Sequence, residues 1–128
     1  MSHFTKLKTK LTDPAVLRQA LLDLGYEVSR GAVQVRGYGG STRSAELAVK
    51  TGSDYGIGFV KEGSSYSILA DWWQVNRDSS IEEHSFTQKL TQRYSYLKVL
   101  AEVKRNNWTK VQERVLEDGT VELVLTKY

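Results

Sequence analysis

The stretch Tyr66-Ser67-Ile68-Leu69-Ala70-Asp71-Trp72-Trp73 carries apolar side chains on both faces of an extended chain. Successive side chains of a strand point to opposite faces, so Leu69 and Trp73 share one face and the other face begins with Tyr66. A strand that is apolar on both faces is typical of a sheet interior. The stretch therefore predicts an interior strand, covered on both sides at one end, with the two indoles on opposite faces.

Upstream of this strand, residues 14–24 have the strongest helical pattern of the chain. Asp13 is a good N-cap, and Pro14 is favoured at the first helical position. Apolar residues then recur at i, i+3, i+4 and i+7, and Gly25 is typical of the position just beyond a helix. Residues 3–11, which alternate in polarity, predict a strand before this helix.

The segment between residues 26 and 63 holds eight of the ten glycines. Short apolar runs separate them, which favours several strands joined by turns. Connections this short favour antiparallel pairing. The run Gly37-Tyr38-Gly39-Gly40-Ser41-Thr42 is rich in glycine, and we expect it to be the most flexible segment.

Downstream, the pattern predicts a second helix over residues 81–104 and then a β-hairpin. Ser80 and Glu83 have the spacing of a capping box, and apolar residues follow at helical intervals. Asp118-Gly119, between two alternating runs, is a strong signal for a two-residue turn. No linker or repeat interrupts the chain, so we predict one domain over residues 1–128.

The order of these elements is strand, helix, several strands, long helix and two strands. This order favours an α+β fold with a single antiparallel sheet. The two main helices, 14–24 and 81–104, are expected to pack on one face of that sheet, and a C-terminal β-hairpin completes the domain.

Composition and motifs narrow the function classes. The chain has no cysteine, which excludes thiolate chemistry. Its two histidines do not have the spacing of a metal site, and its net charge is only +3. It contains no nucleophile elbow and no Walker phosphate loop. The N-terminus lacks a signal-peptide core, and no apolar run reaches the roughly 18 to 20 residues that span a bilayer. We therefore expect a non-enzymatic, cytoplasmic protein without cofactor or membrane insertion.

Aromatic and arginine side chains are the main candidates for a protein-binding surface, because Trp, Tyr and Arg dominate interaction hot spots. Trp73 is expected opposite Trp72, and Tyr94 and Tyr96 lie about 200° apart on a helix, so not all of them can face the core. The predicted surface comprises Tyr38, Trp73, Arg93 and Tyr96. The alternative is that these side chains cover the rim of the core with their polar ends in water.

A second hypothesis is nucleic-acid binding through basic residues. Three lysines share one face of the first predicted strand, where they either attract phosphates or protect a strand edge. The candidate contacts are Lys6, Lys8, Lys10, Arg36 and Arg43. Residues 56–61 approach the inner-strand motif of RNA-recognition domains, but Ile57 and Glu62 stand where that motif has stacking aromatics.

A third hypothesis is an enzyme or small-ligand site built from scattered residues such as Asp71, Arg93 and Tyr94. The sequence shows no cluster of titratable residues, so this hypothesis has the least support. Hydrolysis by a pair of carboxylates remains an alternative, because such a pair forms in space and has no sequence spacing.

Several segments, taken in order, resemble one family. They are Met1-Ser2-His3-Phe4-Thr5-Lys6-Leu7, Leu21-Leu22-Asp23-Leu24-Gly25-Tyr26, Ile57-Gly58-Phe59-Val60, residues 66–72, Lys89-Leu90-Thr91-Gln92-Arg93-Tyr94-Ser95-Tyr96 and Glu117-Asp118-Gly119. Together they look like the uncharacterised hypothetical chloroplast reading frame family of cyanobacteria, red-algal plastids and some other bacteria. The resemblance spans nearly the whole chain. It departs after Tyr96, where the family pattern has asparagine and this chain has Leu97.

The resemblance implies no particular activity. It implies a cyanobacterial or plastid-like setting, with a stroma-like compartment if the gene is plastid-encoded. Some relatives neighbour the gene of an AAA-type ATPase, which implies an adaptor acting with such an ATPase. We therefore expect a protein-binding adaptor or assembly factor, with a nucleic-acid-binding module and a small-ligand binder or enzyme as the alternatives.

Overall fold

The computed structural model describes residues 3–106 and 108–127. In this part of the chain the helices are α1 (Pro14–Asp23), α2 (Trp72–Ser79) and α3 (Glu83–Arg105). The strands are β1 (Thr5–Lys8), β2 (Val28–Arg36), β3 (Thr42–Val49), β4 (Ile57–Glu62), β5 (Ser65–Ala70), β6 (Trp108–Val115) and β7 (Val121–Lys127). A short 3-10 turn, Tyr38–Gly40, joins β2 to β3.

Strands β1 to β5 form one antiparallel sheet in the order β1-β5-β4-β3-β2. Strands β6 and β7 form a separate antiparallel hairpin. The predicted α+β class, with one main antiparallel sheet and a C-terminal hairpin, is therefore confirmed.

The helices pack on one face of the sheet and form the main core with it. Leu17 and Leu21 of α1, Val75 of α2 and Phe86 and Leu90 of α3 are all buried in one cluster. The sheet contributes Leu47, Val49, Ile57, Phe59, Tyr66, Ile68 and Ala70. Each fully buried Leu or Phe contributes about 1.5–3 kcal/mol, so this cluster is the largest source of stability.

The opposite face of the sheet carries a smaller core that includes Val35 and Ala45. A Cβ at Gly58 of β4 would lie 2.7 Å from Cγ2 of Val35, although β2 and β4 are not neighbours in the sheet. The β2–β3 hairpin therefore coils across this face. A register shift between Arg30 and Val33 of β2 accompanies the coiling, as expected of a β-bulge.

The two edge strands of the sheet approach each other at one end. A Cβ at Gly37, just after β2, would lie 2.7 Å from Cε2 of Phe4, just before β1. The missing side chain at Gly37 thus admits the Phe4 ring, and the strong twist of the sheet brings its edges together.

The predicted interior strand ends earlier than its apolar pattern indicates. β5 ends at Ala70, Asp71 is the N-cap of α2, and Trp72 and Trp73 are the first two helical residues. The prediction that both indoles lie on a strand is wrong. The helix that begins there was missed because its two turns are too short to display a helical period next to an apolar strand.

The ends of α1 agree with the prediction. One side-chain oxygen of Asp13 accepts hydrogen bonds from the N–H groups of Ala15 and Val16. Gly25 follows the helix with a φ of 93°, a conformation that favours glycine.

The long helix is confirmed, but its predicted N-terminal cap is wrong. Ser80 has a φ of 61° and ends α2 rather than starting α3. The N-cap of α3 is Glu82, whose carboxylate accepts from the N–H groups of His84 and Ser85 at 3.0 and 2.9 Å. The hydrogen bonds of these two N–H groups also lower the pKa of Glu82. Because Ser80 is already the C-cap of α2, it cannot also be the N-cap of α3.

Two smaller boundaries also differ. β1 covers only Thr5–Lys8 of the predicted strand over 3–11. The C-terminal hairpin has a three-residue loop instead of a two-residue turn: Leu116 N–H donates to the Thr120 carbonyl and Gly119 N–H to the Leu116 carbonyl. Gly119 has a φ of 87°, as in a type I turn followed by a glycine bulge.

Candidate functional site

Asp71 joins the glycine-rich turn to the start of α2. Its side chain is completely buried. Oδ1 accepts from the N–H of Gln74 at 3.4 Å, and Oδ2 accepts from the N–H of Tyr38 at 3.1 Å. One carboxylate therefore fixes the first turn of α2 and the 3-10 turn side by side.

Exposed aromatic side chains lie on both segments that Asp71 joins. Trp73 is 59% exposed and Tyr38 is 53% exposed. The guanidinium of Arg77 stacks 5.1 Å from the centre of the Trp73 ring and pairs with Asp78 at 2.7 Å. We call Tyr38, Trp73 and Arg77 the aromatic patch. The sequence predicted its two aromatic members as exposed binding candidates.

Trp72, next to Trp73, has a different environment. Its ring centre lies 5.8 Å from that of Phe86, and it packs against the main core. Consecutive helical residues differ by about 100° in direction, so the helix turns one indole inward and leaves the other in water.

Arg93 and Tyr96, the other two predicted binding residues, link α3 to two neighbouring elements. Arg93 Nε lies 2.8 Å from Asp23 Oδ2 of α1, and its guanidinium stacks 4.8 Å from the centre of the Tyr96 ring. A hydrogen bond to Glu113 of β6, together with partial burial, raises the pKa of Tyr96. These two side chains therefore hold α1 and the hairpin against α3.

The residues of the predicted small-ligand site have separate structural roles. The Tyr94 hydroxyl accepts from the N–H groups of Thr12 and Asp13 at 3.1 and 2.9 Å, so Tyr94 fixes the start of α1. Burial alone would raise the pKa of Tyr94, but these hydrogen bonds and Lys98 lower it. Asp71 caps α2, whereas Arg93 pairs with α1. Within the described residues, His, Asp and Glu side chains form no group of three suited to a metal ion.

The basic candidates are divided among several environments. Lys6 pairs with Glu62 at 2.9 Å, and hydrogen bonds from Lys6 and Ser67 lower the pKa of Glu62. Arg43 stacks 5.2 Å from the ring centre of Phe4. Arg36 pairs across the strands with Thr42 and Arg43 with Val35, which places the two arginines on opposite faces of the hairpin. Lys8 and Lys10 are exposed near β1.

A groove of about 520 Å³ lies between α3 and β7. The described residues that line it are mostly uncharged, among them Gln88, Thr91, Ser95, Val99, Val121 and Leu123, and His84 joins them. The hairpin tip borders it, where Gln92 Nε2 donates to the Asp118 carbonyl at 3.4 Å. Sequence reasoning missed this groove, because helical and strand periodicity do not show how the hairpin lies against the helix.

Comparison with known proteins identifies the family. A family model described as "Protein of unknown function (DUF1257)" matches residues 20–124. The chain belongs to this family. It is 36% identical to "Uncharacterized protein ycf35" of Guillardia theta over 130 residues, which cover 100% of this chain and 98% of the relative.

Two further relatives have the same name as the first. The proteins called "Uncharacterized protein ycf35" in Cyanophora paradoxa and Pyropia yezoensis are each 28% identical over 128 residues, covering 100% of this chain and 98% of each relative. The predicted resemblance to a hypothetical chloroplast reading frame family is confirmed. No solved structure matches the chain. Within residues 3–106 and 108–127, no helix has the length and apolar character that crossing a bilayer requires.

Proposed function

We propose that this protein is a non-enzymatic, protein-binding adaptor, and that the aromatic patch contacts its partner. The observation that carries the proposal is the exposure of Trp73 on the first turn of a helix capped by a buried carboxylate. Tryptophan, tyrosine and arginine are the side chains that contribute most at protein interfaces. The capped helix fixes the backbone at Trp73, which reduces the conformational freedom lost on binding and favours affinity.

The charges around the patch favour an acidic segment of the partner. Arg36 is exposed and lies two residues before Tyr38. The guanidinium of Arg77 lies 5.1 Å from the centre of the Trp73 ring and pairs with Asp78 at 2.7 Å, which partly offsets its charge. Positive groups beside apolar rings complement a segment that combines carboxylates with apolar side chains.

The alternative, nucleic-acid binding, has less support from the positions of the basic residues. Binding along a phosphate backbone requires a continuous positive groove with stacking aromatics. Lys6 is paired with Glu62, and Arg36 and Arg43 lie on opposite faces of their hairpin. Lys6, Arg36 and Arg43 therefore do not extend the aromatic patch into such a groove.

The adaptor would work in a cytoplasmic or stroma-like compartment, in keeping with relatives that come from algae. An AAA-type ATPase is the partner class that the family resemblance suggests. The patch itself requires only a protein surface with an acidic and apolar segment.

Site-specific photo-cross-linking in the native host tests the proposal. A photoreactive amino acid replaces Trp73 in one variant and Lys50, the exposed residue that follows β3, in the control. We expect a nuclease-resistant protein adduct from position 73 that position 50 does not give. A nucleic-acid adduct at position 73 would support the rival hypothesis instead.

The purified partner then permits a quantitative test. Trp73→Ala should weaken binding by about 30-fold or more, the effect of a hot-spot residue, and leave thermal unfolding nearly unchanged. Leu22→Ala, which removes an exposed apolar side chain from α1, is the matched control. Equal affinities for Trp73→Ala and Leu22→Ala would contradict the proposal.

A further inference from the structure

The edge of β7 differs from the other strand edges of the described residues. A strand edge exposes unpaired N–H and C=O groups and can pair with another chain, so proteins protect edges with lysines, bulges or short strands. β1 is four residues long and carries Lys6 and Lys8. β2 has the register shift after Arg30, and β6 has an extra residue between Lys110 and Gln112. β7 runs regularly from Val121 to Lys127 and contains no proline.

The hydrogen bonds of the hairpin show which backbone groups face this edge. Leu116 N–H donates to the Thr120 carbonyl, so the two residues form a hydrogen-bonded pair. Bonded and non-bonded pairs alternate along an antiparallel ladder. The N–H and C=O groups of Val121 and Leu123 therefore point away from β6, towards the free edge.

The same two residues line the groove beside α3. The seven residues of β7 extend about 23 Å at 3.3 Å per residue. The groove-lining side of α3 runs from His84 to Val99, about 22 Å at 1.5 Å per residue. An added strand of the same length as β7 would therefore cover this side of the helix, and the described residues that line the groove include no Asp, Glu, Lys or Arg.

We infer that a second copy of this chain fills the groove by pairing its β7 with β7 in antiparallel orientation, centred on Leu123. The edge-facing groups of the two Leu123 residues then bond to each other across a two-fold axis. The result is a four-stranded sheet over two α3 helices.

Charge favours this register over the neighbouring one, which is centred on Glu122. With Leu123 opposite its own copy, Glu122 faces Val124 of the second copy, which is 45% exposed in the single chain. A register centred on Glu122 would oppose two carboxylates, which destabilises a strand pair. The outer-face pair Arg114–Glu122, 2.8 Å apart, stays intact.

Two substitutions at one position test the register. Val124→Glu places a carboxylate opposite Glu122 of the second copy at two symmetric sites, whereas Val124→Lys places an ammonium group there. In sedimentation velocity experiments from micromolar to near-millimolar concentration, the wild type should dimerise. Val124→Glu should weaken dimerisation roughly tenfold, and Val124→Lys should preserve or strengthen it.

Thermal unfolding at low concentration controls for folding, because residue 124 lies on the exposed face and both variants should unfold like the wild type. A wild type that stays monomeric throughout the concentration range would overturn the inference. So would a dimer that both substitutions affect equally, since only opposition to Glu122 distinguishes the two charges.

Amide hydrogen exchange provides an independent readout. In the monomer the N–H groups of Val121 and Leu123 should exchange rapidly, because they face water. They should become protected as concentration rises and the dimer forms. Association without added protection at these two amides would place the interface elsewhere and refute the pairing through β7.

Discussion

The backbone N–H of Tyr38 donates a hydrogen bond to Oδ2 of Asp71 over 3.1 Å, across 33 residues of chain. The other oxygen of this buried carboxylate caps α2. The relative position of the glycine-rich turn and the helix that carries Trp73 therefore depends on one side chain.

Replacing Asp71 with alanine should destabilise the protein by about 2–4 kcal/mol. Loss of an N-cap costs about 1 kcal/mol, and a buried donor left without its acceptor costs about 1–3 kcal/mol more. Urea unfolding measures the change. Asp78→Ala, which removes an acid from the same helix at an exposed pair with Arg77, should change the free energy of unfolding far less than Asp71→Ala does. If both variants lost a similar free energy of unfolding, the two hydrogen bonds of Asp71 would not contribute the stability expected of them.

The contacts of Asp23 with Gln19 and Arg93 should make stability depend on acid pH. Hydrogen bonding to Gln19, opposed by partial burial, and the contact with Arg93 lower the pKa of Asp23 in the folded chain. The unfolded chain therefore binds more protons between the folded-state pKa and about pH 4. These contacts stabilise the protein fully at neutral pH, and their contribution is lost as pH falls through the folded-state pKa.

Asp23→Asn removes this titration. We expect it to cost about 0.5–1 kcal/mol at pH 7, since both side chains are partly exposed, and the difference from the wild type to shrink below pH 4. Denaturant unfolding at a series of pH values measures both effects. Glu27→Gln, at an exposed pair with Lys50, is the control and should change the free energy of unfolding little at pH 7. A constant difference between Asp23→Asn and the wild type would contradict the expected pH dependence.

A methyl group at Gly58 should destabilise the coiled sheet. A Cβ there would lie 2.7 Å from Val35 Cγ2 and 2.9 Å from Ala45 Cβ, both closer than atoms in contact. Overpacking of this kind costs about 1–3 kcal/mol. Chemical denaturation of Gly58→Ala should show that loss.

A double variant separates the clash from other effects of alanine. Val35→Ala removes the nearest obstacle, so Gly58→Ala should cost less in a Val35→Ala background than in the wild type. Strict additivity of the two losses would mean that β2 does not cover β4 as described.

The sequence predicts best those features whose signals are adjacent in the chain. Asp13, Pro14 and Gly25 mark both ends of α1 within a few residues, and the structure agrees with them. Asp71 is an equally good N-cap residue, but it follows an apolar strand directly, and Trp72-Trp73 continue the apolar pattern. The local pattern therefore extended the strand where buried Asp71 starts a helix.

The groove and the roles of Arg93 and Tyr96 depend on contacts between distant residues. Gln92 meets Asp118 across 26 residues, and Arg93 meets Asp23 across 70. Neither contact leaves a periodic signal in the sequence. Composition identified Arg93 and Tyr96 as side chains of interest, and only the packing of α1 and the hairpin shows what they touch. Their part in partner binding stays a prediction.

The hydrogen bond between Tyr96 and Glu113 should be visible in the titration of the phenol. This bond and partial burial raise the pKa of Tyr96, and Glu113→Gln should bring the pKa back towards about 10, the usual value for tyrosine. Because the folded-state pKa is raised, the contact stabilises at neutral pH and is lost as pH rises through that pKa.

NMR of ¹³C-labelled tyrosine rings resolves Tyr96 from the other tyrosines. Glu122→Gln changes a carboxylate on the opposite face of the hairpin and should leave the Tyr96 titration unchanged; equal shifts in both variants would indicate a general charge effect instead of a bond between Glu113 and Tyr96.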